Sequence, residues 1–194
     1  MKITPLNNLL FGKKHIATCA VKTAQGNMPC KIYQLEHGDE QYFENVYENP
    51  GWKNKQDYIL SVDYDINNGY IESTYVLEDK KNNCLGYVEA CDAGDNRMVL
   101  EFIEVKPVCR KKNSERKKEY IGETLINFVA QLAKRMKKDT IHVIYPTRTA
   151  LGFYDKCGFV KGDDNIDLKF NLKNIDKLQK QNYEHTGSLI NFEG

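Results

Sequence analysis

The chain has 194 residues, a formal net charge of +1 and 41% hydrophobic residues, which fits one folded domain with a sizeable core. So small a net charge gives no electrostatic case for a nucleic-acid or membrane-surface partner. No apolar run approaches the roughly 20 residues that a membrane span requires, and the short, interrupted apolar stretch at the N-terminus is unlike an ordinary signal peptide. The six cysteines are scattered without a CxxC pair, which argues against a metal site and favours free thiols in a reducing compartment such as the cytoplasm.

The first part of the chain carries weak signals. Residues 1–28 are interpreted as an N-terminal extension, although residues 16–21 have the composition of a strand. Residues 30–35 alternate enough to predict a strand. Residues 41–47 have helical spacing, and the Asn-Pro-Gly sequence at 49–51 would stop that helix.

Two apolar runs, residues 71–77 and 85–91, are separated by a polar cluster at 78–83, which is typical of a β-hairpin. A second turn at residues 92–96 leads into another apolar run, residues 98–105. We therefore expect an antiparallel meander of three strands.

The run at residues 98–105 is apolar on both faces, so it is predicted to be a central strand covered on both sides. Simple alternation places Met98, Leu100, Phe102 and Glu104 on one face and Val99, Glu101, Ile103 and Val105 on the other. Burial of the Glu101 and Glu104 carboxylates there costs free energy unless each contacts water, pairs with a lysine or takes part in catalysis. Such a carboxylate suits a general base that removes a proton from an amine.

A basic loop follows this strand. Most of its lysines and arginines are expected to form a solvated face. Lys117 and Lys118 differ because they directly precede a helix with Gly122 in its first turn. The N–H groups and the dipole at a helix start attract phosphate, and glycine lets it approach the backbone.

The helix is predicted from an apolar stripe over residues 121–138, and a strand follows at 140–145. A short helix ends at Gly158, with Tyr154 placed beside its packed face so that the hydroxyl reaches a cleft. Residues 167–172 predict a last strand. Residues 173–194 are interpreted as a C-terminal tail with a short helix.

These features together resemble one family. The strand ends in Val105-Lys106-Pro107, a basic residue and a glycine open the helix, and Ala150-x-x-Phe-Tyr-x-x-x-Gly-Phe159 follows. This order is similar to the GNAT N-acetyltransferases. The resemblance implies an α+β fold in a single domain, residues 29–172, with a mixed, mostly antiparallel central sheet flanked by helices.

The resemblance also implies a site for acetyl-CoA, in a V-shaped gap between the strand at 98–105 and the strand at 140–145. The backbone at Ile103, Glu104 and Val105 would hold the pantetheine arm and polarise the thioester. The remaining coenzyme-binding positions carried over from the family are Lys117, Lys118, Glu119, Tyr120, Ile121, Gly122, Thr147, Ala150 and Phe153. Three of them depart from the family pattern, because Lys117 replaces a glutamine or arginine, Tyr120 a glycine and Thr147 an asparagine.

The implied activity is direct acetyl transfer to a primary amine, with Glu101 or Glu104 as base, Glu101 being preferred, and Tyr154 as acid. No metal is needed. The acceptor, a small molecule or a protein amine, and the oligomeric state are left open by the sequence. One alternative is a non-catalytic acyl-CoA-binding or regulatory protein with a degenerate GNAT fold, which Tyr120 favours. A nucleic-acid module built on the loop at 110–118 is disfavoured by the neutral net charge and by the lack of interleaved aromatic residues.

Overall fold

The computed structural model describes residues 13–36, 39, 42, 73–106, 118–162 and 167–194. Apart from residue 42, the helix predicted at residues 41–47 lies outside the described residues, as do Pro107, Lys117 and most of the basic loop.

The described residues form an α+β structure with one large, mostly antiparallel sheet and three helices. The strands are β1 (Lys14–Thr23), β2 (Gly26–Gln34), β3 (Thr74–Asp79), β4 (Cys84–Asp92), β5 (Arg97–Val105), β6 (Lys118–Glu119), β7 (Thr140–Val143), β8 (Val160–Lys161), β9 (Leu168–Asn171) and β10 (Asn191–Phe192). The helices are α1 (Ile121–Arg135), α2 (Leu151–Lys156) and α3 (Ile175–Thr186), and a 3-10 turn, Leu172–Asn174, precedes α3.

The strand order across the sheet is β10-β1-β2-β3-β4-β5-β7-β9-β8, and β6 also pairs with β1. The predicted meander is confirmed, since β3, β4 and β5 pair antiparallel in succession. Only β5 and β7 pair in parallel among these strands, and α1 provides the crossover between them.

Both ends of the chain join this sheet. The segment 1–28, interpreted as an N-terminal extension, contains β1, which pairs with β2 over nine positions, Lys14 to Thr23. The segment 173–194, interpreted as a tail, contains α3 and β10, and β10 pairs with β1 through Ala17↔Phe192. Ile190, with 6% of its surface exposed, belongs to the core.

Helix α1 covers one face of the sheet because its apolar stripe is continuous. Leu125, Phe128 and Val129 are fully buried against the strands. Gly86 in β4 allows the closest approach: a Cβ there would lie 3.0 Å from Ile121 Cγ2 and 2.8 Å from the Glu104 carbonyl oxygen. Helix and sheet therefore touch directly at the level where the site lies.

A β-bulge in β5 changes which side chains share a face. Glu89 lies opposite Phe102 and the next residue, Ala90, lies opposite Leu100, so Glu101 is the extra residue. Before the bulge Leu100 points into the core beneath α1. Beyond it Ile103 and Val105 do so.

The predicted faces of β5 are therefore wrong beyond Leu100, because one inserted residue reverses the alternation. Phe102 and Glu104 point to the side of the sheet opposite α1, where Tyr87 and Glu89 of β4 also point. We call this side, with these four residues, the far face. Phe102 is 38% exposed there, so β5 is not covered on both sides along its whole length as predicted.

The two parallel strands separate at the bulge. Pairing between β5 and β7 runs from Arg97↔Thr140 to Leu100↔Val143 and then stops. Strand β5 continues to Val105 against β4, whereas the chain beyond Val143 leaves the sheet in a bend in which Tyr145 has a φ of 52°. Among the described residues no strand pairs with 101–105 on the β7 side, which leaves a V-shaped gap.

Candidate active site

Backbone groups of β5 line the gap in a pattern set by the strand register. The Lys106 N–H donates to the Leu85 carbonyl oxygen at 2.9 Å, so Lys106 and, by alternation, Glu104 direct their backbone groups toward β4. Ile103 and Val105 therefore direct theirs toward the gap. This edge can offer the same amide pattern that a paired strand would use, which suits an extended, amide-bearing ligand.

The start of α1 lies beside the end of β5. Tyr120 is the N-cap, and it has a left-handed backbone with φ 61° and ψ 20°. Glycine adopts that conformation without strain, so the geometry explains why a glycine is expected at this position. The first-turn N–H groups that follow, from Ile121 onward, precede the intrahelical ladder and make the helix start suitable for an anion.

Gly122 is required by packing in this structure. A Cβ at this position would lie 3.1 Å from two ring atoms of Phe153 in α2 and 3.5 Å from Val105 Cγ2. The absent side chain thus brings together α1, α2 and the end of β5. The expected role of Gly122 in phosphate binding concerns its backbone N–H, and it stays a prediction.

Helix α3 supplies a cluster at the same helix start that the sequence did not predict. The His185 ring stacks on the Tyr120 ring with centroids 4.2 Å apart and planes 13° apart. His185 Nδ1 lies 2.8 Å from Glu123 Oε1, and Gln181 Nε2 donates to Glu123 Oε2 at 2.9 Å. No sequence signal pointed to this cluster, because its members lie about 60 residues apart in the chain.

The basic residue that precedes α1 is already engaged. Lys118 Nζ lies 2.8 Å from Asp79 Oδ2, and β6, which contains Lys118 and Glu119, pairs with β1. Burial alone would raise the pKa of Asp79, but hydrogen bonds from Lys118 and Asn83 outweigh it and lower the pKa to about 2. To reach a diphosphate, Lys118 would have to leave or share this carboxylate.

The two glutamates considered as bases have different surroundings. Glu101, at the bulge, is exposed, and its Oε1 accepts a hydrogen bond from the Cys91 thiol at 3.4 Å. Burial, and then the Glu101 carboxylate, raise the pKa of Cys91 to about 12. Glu104 is half-buried on the far face, and its Oε2 accepts from the Tyr87 hydroxyl at 3.1 Å.

Tyr154 belongs to the core. It is 5% exposed, and its ring packs against Phe153 and Phe159 with centroid distances of 5.2 and 5.3 Å. The prediction that Tyr154 lies beside the packed face is therefore wrong, because its ring packs between Phe153 and Phe159 in the core. Burial, and then Cys157, raise the pKa of Tyr154 to about 12.

The other residues of the second motif lie around α2. Thr147 is exposed, and its carbonyl oxygen accepts the Ala150 N–H at 2.9 Å. Ala150 and Phe153 are partly buried against the core. The contact between Phe153 and Gly122 thus holds α2 beside the gap.

The described residues include no group of three or more histidine, cysteine, aspartate or glutamate side chains placed to hold a metal ion. None of the described helices has the length and apolar character needed to cross a membrane.

Comparison with solved structures finds a similar fold in several acetyltransferases. The AtaTR complex bound with acetyl-CoA has 16% sequence identity and a TM-score of 0.56, over 77% of this chain and 97% of that one. A chimera of spermidine N-acetyltransferase SpeG from Vibrio cholerae and hSSAT has 19% identity and a TM-score of 0.53, over 75% and 97%. Ard1 from Thermoplasma volcanium has 15% identity and a TM-score of 0.52, over 73% and 97%.

No curated protein matches the chain significantly at the sequence level. The model of the acetyltransferase (GNAT) family matches residues 31–159, from β2 to the end of the Gly-Phe motif. The match spans well over half of the chain and includes the meander, the bulged strand, α1 and α2. The chain belongs to the GNAT acetyltransferase family.

Proposed function

We propose that the protein transfers an acetyl group from acetyl-CoA to a primary amine. The observation that carries this proposal is the gap at residues 101–105 of β5, with the backbone of Ile103 and Val105 directed into it and the start of α1 beside it. An extended pantetheine arm fits the first feature, and a diphosphate fits the second.

The proposed coenzyme contacts follow from these positions. Backbone groups at Ile103 and Val105 bind the pantetheine and polarise the thioester carbonyl, whereas Glu104 between them contributes its side chain, because its backbone groups are directed toward β4. The diphosphate lies at the turn from Glu119 to Gly122, with Lys117 and Lys118 as the basic residues of that turn. Thr147, Ala150 and Phe153 border the coenzyme from the α2 side.

The reaction is a direct displacement. The amine nitrogen attacks the thioester carbonyl carbon, the carbon–sulfur bond breaks, and the amine loses a proton to Glu101 or Glu104. The Tyr154 hydroxyl donates to the departing sulfur. A phenol with a pKa of about 12 is a weaker acid than a thiol with a pKa of about 8.5, so complete proton transfer from Tyr154 to the thiolate is unfavourable. The Tyr154 hydroxyl therefore stabilises the departing thiolate by donating a hydrogen bond to it.

The acceptor is an amine in either a small molecule or a polypeptide. The names of two matched structures mention such ligands: spermidine for the SpeG chimera, and a Gag peptide for the NatC complex, which has a TM-score of 0.51 and 18% identity. Cys19, Cys30, Cys84, Cys91 and Cys157 are free thiols, which supports a reducing compartment, and we propose the cytoplasm.

A second candidate is a non-catalytic acyl-CoA-binding protein. Two observations favour it: the left-handed Tyr120 at a usual glycine position, and the engagement of Lys118 by Asp79. In this case the fold binds the coenzyme, or a relative of it, without transferring the acyl group.

Calorimetric titration with acetyl-CoA and with coenzyme A tests both candidates, followed by an acetyl-transfer assay with spermidine and with a lysine-containing peptide. Binding together with transfer to either amine supports the enzyme. Binding without transfer to these or to other primary amines supports the second candidate. Failure of both coenzyme forms to bind at millimolar concentration contradicts both.

A further inference from the structure

The gap and the far face meet at one residue of β5. Glu104 lies between Ile103 and Val105, whose backbone groups are directed into the gap, while its own side chain points to the far face. A thioester held along this edge therefore has Glu104 as its nearest far-face carboxylate beyond the bulge. Glu101 lies at the bulge itself, where the gap begins.

The Glu104 carboxylate is held by its cross-strand neighbour. Tyr87 lies opposite Glu104 in the antiparallel pair β4–β5, and the Tyr87 hydroxyl donates to Glu104 Oε2 at 3.1 Å. The Tyr87 ring is fully buried and stacks on Phe102 with centroids 5.7 Å apart and planes 11° apart. A buried, stacked ring cannot swing away, so the hydroxyl is a fixed donor.

We propose that Tyr87 is a positioning residue that orients Glu104 as the base of the acetyl transfer. This inference rests on the proposed function and chooses between its two glutamates. Glu104 takes a proton from the attacking amine and becomes a neutral carboxylic acid, whereas the Tyr87 hydroxyl keeps its own proton throughout. The hydrogen bond from Tyr87 holds one oxygen of the carboxylate in place, so Glu104 presents a fixed geometry to the amine.

The test compares Tyr87→Phe with wild type. The matched control is Tyr75→Phe, a buried tyrosine of the neighbouring strand β3 that packs on Phe128 beneath α1, away from the far face. For each protein the dissociation constant for acetyl-CoA is measured first, and then kcat and KM for transfer to spermidine and to a lysine peptide, with and without the additional substitution Glu104→Gln.

In Tyr87→Phe we expect kcat to fall about tenfold, because the carboxylate loses the donor that orients it, with KM and the acetyl-CoA affinity of wild type. In Glu104→Gln, transfer is expected to fall by about 10² to 10⁴. Adding Tyr87→Phe to Glu104→Gln is expected to cause no further loss, because no carboxylate is left to orient, and Tyr75→Phe is expected to match its parent in both backgrounds. If Tyr87→Phe does not fold, Glu104→Asp replaces it, because the shorter side chain withdraws from Tyr87 while keeping its carboxylate, and a similar loss of kcat is expected.

A wild-type kcat in Tyr87→Phe, or an equal further loss when Glu104→Gln is already present, overturns this inference and leaves the proposed function standing. Full activity in Glu104→Gln does the same. Acetyl-CoA binding by wild type without transfer to any amine overturns the proposed function, and this inference with it.

Discussion

The Phe153 ring occupies the position next to Gly122 that a larger side chain would need, with two ring atoms 3.1 Å from where a Cβ would stand. This contact joins α2 to the start of α1, so the two motifs that define the family hold each other in place. Both elements that border the proposed coenzyme site therefore pack closely because residue 122 has no side chain.

Gly122→Ala is expected to destabilise the protein by about 1 kcal/mol, because crowding against Phe153 costs about 1–3 kcal/mol and alanine recovers up to about 1 kcal/mol of helix propensity. In a Phe153→Leu background the crowding is relieved, and the same substitution is expected to be neutral or stabilising. Urea unfolding of the four proteins in this cycle measures the coupling. Equal effects of Gly122→Ala in both backgrounds would contradict the contact.

Tyr120 combines an unfavourable backbone with a favourable ring stack. Tyr120→Ala loses the stack on His185, worth about 0.5–1.5 kcal/mol, and keeps the left-handed strain. Tyr120→Gly loses the same stack and removes strain of about 1–2 kcal/mol. We expect the glycine variant to be more stable than the alanine variant by about 1 kcal/mol in urea unfolding. An alanine variant as stable as the glycine variant would show that the residue is not left-handed in solution.

Tyr154→Phe is expected to lower kcat by about 10² without changing the acetyl-CoA dissociation constant, because the ring keeps its packing and only the donor hydroxyl is lost. With a pKa of about 12, raised first by burial, Tyr154 stays protonated at ordinary assay pH, so it should produce no alkaline limb in wild type. The control is Tyr183→Phe, a half-exposed tyrosine of α3. Unchanged turnover in Tyr154→Phe would remove this hydroxyl from the mechanism.

The C-terminal segment is expected to be part of the folding unit. Ile190→Ala should cost about 3 kcal/mol, because the side chain is 6% exposed and its loss leaves a cavity in the core. Leu189→Ala, next to it but 55% exposed, should change the free energy of unfolding by less than about 0.5 kcal/mol. Thermal or urea unfolding measures both. Similar small effects would mean that β10 and its neighbours are not docked.

The ion pair of Lys118 with Asp79 makes the free energy of unfolding depend on pH in the acidic range. The pKa of Asp79 falls from 3.8 to about 2 on folding, so its contribution is present above about pH 4 and is lost as the pH falls toward 2. Lys118→Met should destabilise the protein by about 1–2 kcal/mol at neutral pH, and the difference from wild type should shrink below about pH 4. The exposed lysine variant Lys177→Met should show no such dependence. A difference that persists at low pH would contradict this account.

Local patterns were sufficient for much of the fold. The alternating runs of the meander, the apolar stripe of α1 and the Gly158 stop are encoded in short segments, and the family resemblance followed from residues 98–159. The net charge of +1 likewise gave no electrostatic case for a nucleic-acid partner. Each of these depends on interactions between neighbours in the chain, which a sequence displays directly.

Tertiary structure decided which side chains meet. The extra residue at Glu101 reverses the faces of β5 and brings Glu104 to Tyr87, although an unbroken alternation was the reasonable prediction. The cluster of His185 on Tyr120 joins segments that are distant in the chain, as does the pairing of β10 with β1. A bulge and a long-range contact are both set by how whole elements pack, and the residues that form them look ordinary in the sequence.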